Sequence, residues 1–228
     1  MNQNLIVKHN DLIEAGYKLT LEEQRLVLAC ISKIDSRPGA EVPDAITITA
    51  SEYAGLFGVR MKHAYSQLKE ATNNLYEQDI LIKGEQKTRR MRWVSSVLYN
   101  DGEGSVTLDF SQRIKPYLSQ LNGMFTRYQL VSVAQLKSPY SIRLYELLSQ
   151  WRDKGKREIR VSELRSLLEL EDRYEKFYEL KRWVIQPAVN ELNRQTDFDV
   201  TFETQREGRF IKRLLFSFVV EEPSLLDI

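Results

Sequence analysis

Phe177-Tyr178-Glu179-Leu180-Lys181-Arg182-Trp183-Val184-Ile185-Gln186-Pro187-Ala188-Val189-Asn190-Glu191-Leu192 is the stretch on which the reading of this chain turns. Phe177, Leu180, Val184, Ala188 and Leu192 recur every three or four residues, the spacing of one helix face laid on a core. The period then changes to two. Val200 and Phe202, a polar turn at Arg206-Glu207-Gly208-Arg209, and Leu214, Phe216, Phe218 and Val220 read as a β-hairpin. Upstream, Glu171-Asp172 marks a turn, and Ser162-Glu163 with Leu167 predicts a short helix with the serine as its cap. Glu158-Ile159-Arg160-Val161 predicts a strand. Before it, Ser138-Pro139 opens a helix through Arg143-Leu144-Tyr145-Glu146-Leu147-Leu148, with Pro at the first helical position.

The same order occurs earlier in the chain. Leu19-Thr20-Leu21-Glu22-Glu23 carries a capping box, Thr20 with Glu23, and leads into Arg25-Leu26-Val27-Leu28-Ala29-Cys30-Ile31. A polar break from Asp35 to Asp44 precedes the strand Ile46-Thr47-Ile48. Ser51-Glu52 with Leu56 repeats Ser162-Glu163 with Leu167, and Gly58-Val59 supplies the turn. A long helix then carries Ala64, Leu68, Ala71 and Leu75 on one face. Met91, Trp93, Val97 and Tyr99, the turn Asn100 to Gly104, and Val106, Leu108 and Phe110 predict the second hairpin. Helix, strand, short helix, turn, long helix and hairpin is the order of a winged helix-turn-helix. The expected fold is therefore α+β, two tandem winged helix-turn-helix domains, over residues 1–122 and 123–228, divided near Leu121-Asn122-Gly123. A generic α+β protein whose halves match by chance is the competing reading, and the agreement in order, caps and hairpins weighs against it.

Such a helix-turn-helix lays its second helix in the major groove, so that helix should present cations and amides. Lys62, Ser66, Lys69 and Asn73 lie opposite the first core stripe; Arg173, Lys176, Lys181 and Arg182 lie around the second. A solvated surface would also explain the second set, given Glu175 and Glu179. The hairpins tilt the balance. Lys83, Lys87, Arg89, Arg90 and Arg92 face one acid, Glu85, in the sequence at the first hairpin, and Arg206, Arg209, Lys212 and Arg213 cluster at the second. Net charge offers no such signal. The chain has 228 residues with 33 Lys+Arg against 32 Asp+Glu, so any nucleic-acid case rests on local clustering.

Other classes are poorly supported. With 42% apolar residues, 10 Gly and 6 Pro, the composition is that of a globular protein. No stretch approaches the length of a membrane helix and the N-terminus has no secretory pattern, so a cytoplasmic protein is expected. The single cysteine, Cys30, reads as a core residue. Gly155-Lys156-Arg157 lacks the upstream glycine and the hydroxyl of a phosphate-binding loop. His9 and His63 are too far apart in sequence to form a metal pair, and Asp197-Phe198-Asp199 reads as cap and turn. No catalytic residue, metal or cofactor is expected. Leu144 to Leu148 could dock a partner, but its position favours the core.

Several segments resemble the replication initiators (Rep proteins) of iteron-containing, theta-replicating plasmids. They are Asn4-Leu5-Ile6-Val7-Lys8, Leu19-Thr20 with Glu23-Gln24-Arg25-Leu26, Arg143 to Leu148, Leu180 to Asn193, and Gly208-Arg209 followed by Phe216-Ser217-Phe218. The resemblance covers roughly residues 4 to 220. It implies a DNA-binding initiator without catalytic activity that binds origin direct repeats as a monomer and represses its own gene as a dimer. It implies that the C-terminal domain, through Lys181, Arg182, Arg206 and Arg209, reads most bases, and that the N-terminal domain serves in dimerisation and DNA contact. It also implies recruitment of a host replication initiator and helicase. A tandem winged-helix transcriptional repressor with no replication role is the alternative, and a nicking initiator enzyme a distant third.

Overall fold

The computed structural model of the chain describes residues 4–37, 40–84, 86–119, 123–170 and 172–220. Residues 121 and 122 of the expected boundary, residue 171 of the second turn and Glu85 lie outside them.

The chain forms two compact units, residues 1–135 and 136–228. In the first, β1 (Leu5–His9) and α1 (Asn10–Ile13) precede α2 (Leu21–Ile31), β2 (Ile46–Thr49), α3 (Ala50–Phe57) and α4 (Met61–Tyr76). Then come β3 (Asp79–Lys83), β4 (Thr88–Arg92), β5 (Val94–Asn100), β6 (Ser105–Phe110), β7 (Phe125–Gln129) and α5 (Val131–Ala134). The second unit contains α6 (Pro139–Ser149), β8 (Lys156–Arg160), α7 (Val161–Leu167) and α8 (Phe177–Leu180). A π turn (Lys181–Ile185) joins α8 to α9 (Gln186–Gln195), which is followed by β9 (Phe198–Glu207) and β10 (Phe210–Val220).

Each unit holds a three-stranded antiparallel sheet of the same design, in the orders β2-β6-β5 and β8-β10-β9. In both, the strand before the short helix pairs with the last strand of the hairpin that follows the long helix. The two winged-helix domains of the sequence reading are thus present. Ala64, Leu68, Ala71 and Leu75 of α4 are buried, as are Leu180, Val184, Ala188 and Leu192 of the second long helix, while Phe177 is half-buried. Tyr145, at 5.0 Å centroid distance from Phe198, anchors the second core; Leu144 to Leu148 is core. Cys30 is buried, which pushes its thiol up to about 12 and makes it chemically inert in the folded state.

The helix starts follow two of the local signals in the sequence. Thr20 Oγ1 accepts from the Glu23 N–H at 3.3 Å while Glu23 accepts from the Thr20 N–H at 3.0 Å, and Ser138 caps α6 with Pro139 in its first turn. Ser51 and Ser162 do not cap their helices. α3 starts one residue before Ser51, with Thr49 and Glu52 as its capping box, and α7 starts at Val161 without a side-chain cap. Gly58 ends α3 at φ 64°, a left-handed conformation that costs glycine nothing.

Two expectations from the chain order are displaced. The contact boundary falls between Gln135 and Leu136, because β7 pairs with β1 from Leu5↔Gln129 to His9↔Phe125 and so joins the first unit. Such pairing across more than a hundred residues leaves no mark on local composition. The first hairpin is also not one alternating run from Met91. β3 and β4 form a separate two-stranded sheet inserted between α4 and the wing, and buried Trp93 divides it from β5. The wing itself is β5–β6, joined through Asp101 to Gly104.

Candidate nucleic-acid interface

One side chain fixes the turn that leads into the second long helix. Arg165 of α7 donates to the carbonyls of Leu170 at 3.3 Å, Arg173 at 2.8 Å, Tyr174, and Glu175 at 3.0 Å. A planar, permanently charged donor fork suits this task, and the backbone leading into α8 is fixed by it. Arg173, Lys176, Lys181 and Arg182 are all exposed on the segment thus positioned. None makes an ion pair among the described residues. Arg173 lies over the Tyr174 ring, Lys181 over Phe202 and Arg182 over Trp183, at 5.1, 5.6 and 4.8 Å from the ring centroids.

The hairpin beside this helix turns through Gly208 and Arg209, with Gly208 at φ 62° as the first residue of a two-residue turn. Arg206, Arg209 and Lys212 are exposed and unpaired with acids among the described residues. The register shifts between Ile211 and Arg213, so Lys212 is the extra residue of a bulge, a device that re-aims a side chain. Arg213 is different. It bonds Glu158 at 2.5 Å and Glu207 at 3.4 Å across the sheet, and is committed within the protein. Asp197, half of the aspartate pair, accepts from Tyr145 Oη at 3.3 Å and pairs with Arg152, which makes it an anchor of the helix-to-strand junction.

In the first unit the expected reading residues divide. Lys62, Ser66, Lys69 and Asn73 are all exposed on α4, as is His63. Lys69, however, bonds Asp101 of the wing turn at 2.8 Å, and Tyr65 donates to the same carboxylate at 2.6 Å. The ammonium and hydroxyl hold the Asp101 carboxyl below its ordinary range. Ser66 donates to the His63 carbonyl at 3.0 Å. Lys62 and Asn73 remain open. Of the cations assigned to a wing, Lys83, Lys87, Arg89, Arg90 and Arg92 sit on the inserted β3–β4 hairpin instead. Arg90 pairs with Asp79, and Arg92 with Glu77 and Asp79 at 3.1 Å each, whereas Lys87 and Arg89 are exposed without acid partners among the described residues.

The description "Initiator Replication protein, WH1" matches residues 5–149, and "Initiator Rep protein, WH2" matches residues 160–218. The chain belongs to the initiator replication protein family. This initiator is 28% identical to a "Replication initiation protein" of Escherichia coli, over 95% of the chain and 70% of that protein. It is also 28% identical to the "PI protein" of Escherichia coli, over 97% of the chain and 85% of that protein. Its fold is similar to the crystal structure of Pi initiator protein in complex with iteron DNA, with a TM-score of 0.83, 28% identity and coverage of 98% of this chain and 100% of the other.

Four features of the initiator's surface escaped the sequence reading. Arg60, the N-cap residue of α4, is an exposed cation beside Lys62. Arg165 was hidden because its partners are backbone carbonyls. Tyr178, Trp183 and Phe210 are 59%, 55% and 56% exposed, although each sits in a run where an aromatic ordinarily signals core. Asp101 stands in the sequence only as part of a turn. The Gly-rich context Asn100-Asp101-Gly102 gave its location, but nothing local reveals that it is a partner for Lys69.

Proposed function

We propose that this initiator binds double-stranded DNA at direct repeats, or iterons, of a plasmid origin, one monomer per repeat, in the cytoplasm. The second winged helix reads bases through Arg173, Lys176, Lys181 and Arg182, while Arg206, Arg209 and Lys212 hold the backbone. The first unit adds phosphate contacts through Lys62, Lys87 and Arg89. The observation that carries this reading is the set of exposed cations in the second unit with no acid partner among the described residues, on a helix and hairpin that share one winged-helix frame. A protein of net charge +1 gains nothing from bulk attraction, so cations left unneutralised on one element supply the counterion release that drives binding. The similarity to an initiator solved on iteron DNA supports the choice of ligand.

As a homodimer through its first unit, the protein represses its own gene. Support comes from β5, an edge strand in the order β2-β6-β5 with Leu98 58% exposed on it. Host initiator and helicase are the remaining partners of this reading.

Footprinting combined with mass measurement of the complexes tests it. One protein per direct repeat, protecting on the order of 20 base pairs, is expected if each winged helix covers about one helical turn of DNA. Complexes that always contain two proteins, on inverted repeats alone, would overturn it in favour of a repressor. A further expected result concerns the pair that Lys69 of α4 makes with Asp101. Asp101→Asn frees Lys69, so affinity should rise several-fold for all sequences alike and the salt slope should steepen by about one. Titration of a specific and a scrambled duplex at several salt concentrations reads both effects.

A further inference from the structure

Trp183 lies mid-way along the second long helix with 55% of its surface exposed, and the winged-helix frame gives no reason for an indole there. Its setting follows from the π turn. In an uninterrupted α-helix the buried row Leu192, Val189 and Ile185 would extend back by four residues to Lys181. The π turn inserts one residue, carries the buried row to Leu180, and leaves Lys181, Arg182 and Trp183 together on the solvent side. Pro187 accounts for the widened turn, since it has no N–H to donate and its ring crowds the preceding carbonyls. The Arg182 guanidinium lies over the Trp183 ring, 4.8 Å from its centroid. Stacking limits the rotamers of both side chains before any DNA arrives.

We infer that Trp183 is a specificity-determining residue that reads the 5-methyl group of a thymine next to the guanine bonded by Arg182. The inference rests on the assignment of this helix as the base reader. Its chemistry is that of the major groove. Base edges there carry hydrogen-bond donors and acceptors, and the thymine methyl is the apolar group among them. The face of an indole ring set against a donor or acceptor would strip it of water and return no hydrogen bond, whereas against a methyl it buries apolar surface. Arg182 takes the paired acceptors of guanine. Because ring and guanidinium are stacked, their two targets are neighbours in the site.

The probe is the duplex that the wild-type protein selects from DNA with about 25 randomised base pairs, with copies in which each thymine in turn is replaced by deoxyuridine. These copies lack only the methyl. At one thymine, beside the guanine whose identity Arg182→Ala ceases to sense, the replacement should weaken wild-type binding about four-fold. Trp183→Ala should bind the thymine and uracil versions equally there, and Trp183→Phe should retain part of the difference. Trp183 is exposed, so an unchanged unfolding midpoint for both variants is the control for folding. Wild-type indifference to every replacement, or an unchanged uracil profile in Trp183→Ala, overturns the role of Trp183. If Arg182→Ala loses discrimination in that same experiment, the reading helix stands without it. If Arg182→Ala discriminates as the wild type does, the reading helix itself falls, and the inference with it.

Discussion

Arg143→Ala is expected to destabilise the second unit by about 3–5 kcal/mol, the usual result of removing one partner from a buried ion pair. Arg143 and Glu146 are 2% and 1% exposed and lie one helical turn apart on α6, with Nη1 3.1 Å from Oε2. Arg143 Nη2 also reaches the carbonyl of Leu167, at 3.5 Å, the last residue of α7. The guanidinium therefore links α6 to the end of the short helix that precedes the second long helix. Without it, the buried Glu146 carboxylate loses the guanidinium that lies 3.1 Å from it. Replacing both residues, as in Arg143→Met with Glu146→Leu, should recover most of the loss, because an apolar pair needs no desolvation of charge. Urea unfolding of the three proteins reads the effect, and a loss below about 1 kcal/mol for Arg143→Ala would show that Glu146 does not depend on this guanidinium. The first unit meets the same position otherwise. Its Arg25 is only half-buried and lies over Phe57 of α3, 5.4 Å from the ring centroid.

Arg182→Ala is expected to remove about 1–3 kcal/mol of discrimination between the correct site and a single-base variant, while Arg89→Ala lowers affinity for both alike and flattens the salt slope by about one. The contrast follows from position. Arg182 projects from the helix proposed to enter the groove, whereas Arg89 is exposed on β4 of the hairpin proposed to touch phosphates. Arg90, its neighbour on β4, should give a weaker effect than Arg89, because Asp79 already holds its guanidinium. Competition binding against matched, single-variant and scrambled duplexes separates the three. Uniform losses in both Arg182→Ala and Arg89→Ala would remove the second long helix from the role of reader.

Much of the architecture lies in local pattern. The stripes Ala64, Leu68, Ala71, Leu75 and Leu180, Val184, Ala188, Leu192 announce two long helices because a helix face has a period that its own residues must satisfy. The capping box of Thr20 with Glu23 and the Ser138-Pro139 start are legible for the same reason, as the groups they satisfy lie within three residues. The misplaced caps at Ser51 and Ser162 show the limit of this reading. Any hydroxyl near a helix start looks alike, and the backbone conformation of Thr49 and Arg160 decided the first turn.

What the sequence by itself determined is the repeated order of elements, the apolar faces and the positions of the basic clusters, all properties of near neighbours along the chain. The tertiary structure decided which cations are open. Lys69 is taken by Asp101, Arg213 by Glu158, and Arg90 and Arg92 by Asp79, partners that lie eleven to fifty-five residues away or across a turn. With basic and acidic residues nearly equal in number, a cation's freedom depends on which acid the fold brings within a few ångströms of it. The β1–β7 pairing that moved the boundary between the units has the same origin, since hydrogen bonds between distant strands cost and gain free energy only when folding brings the strands together.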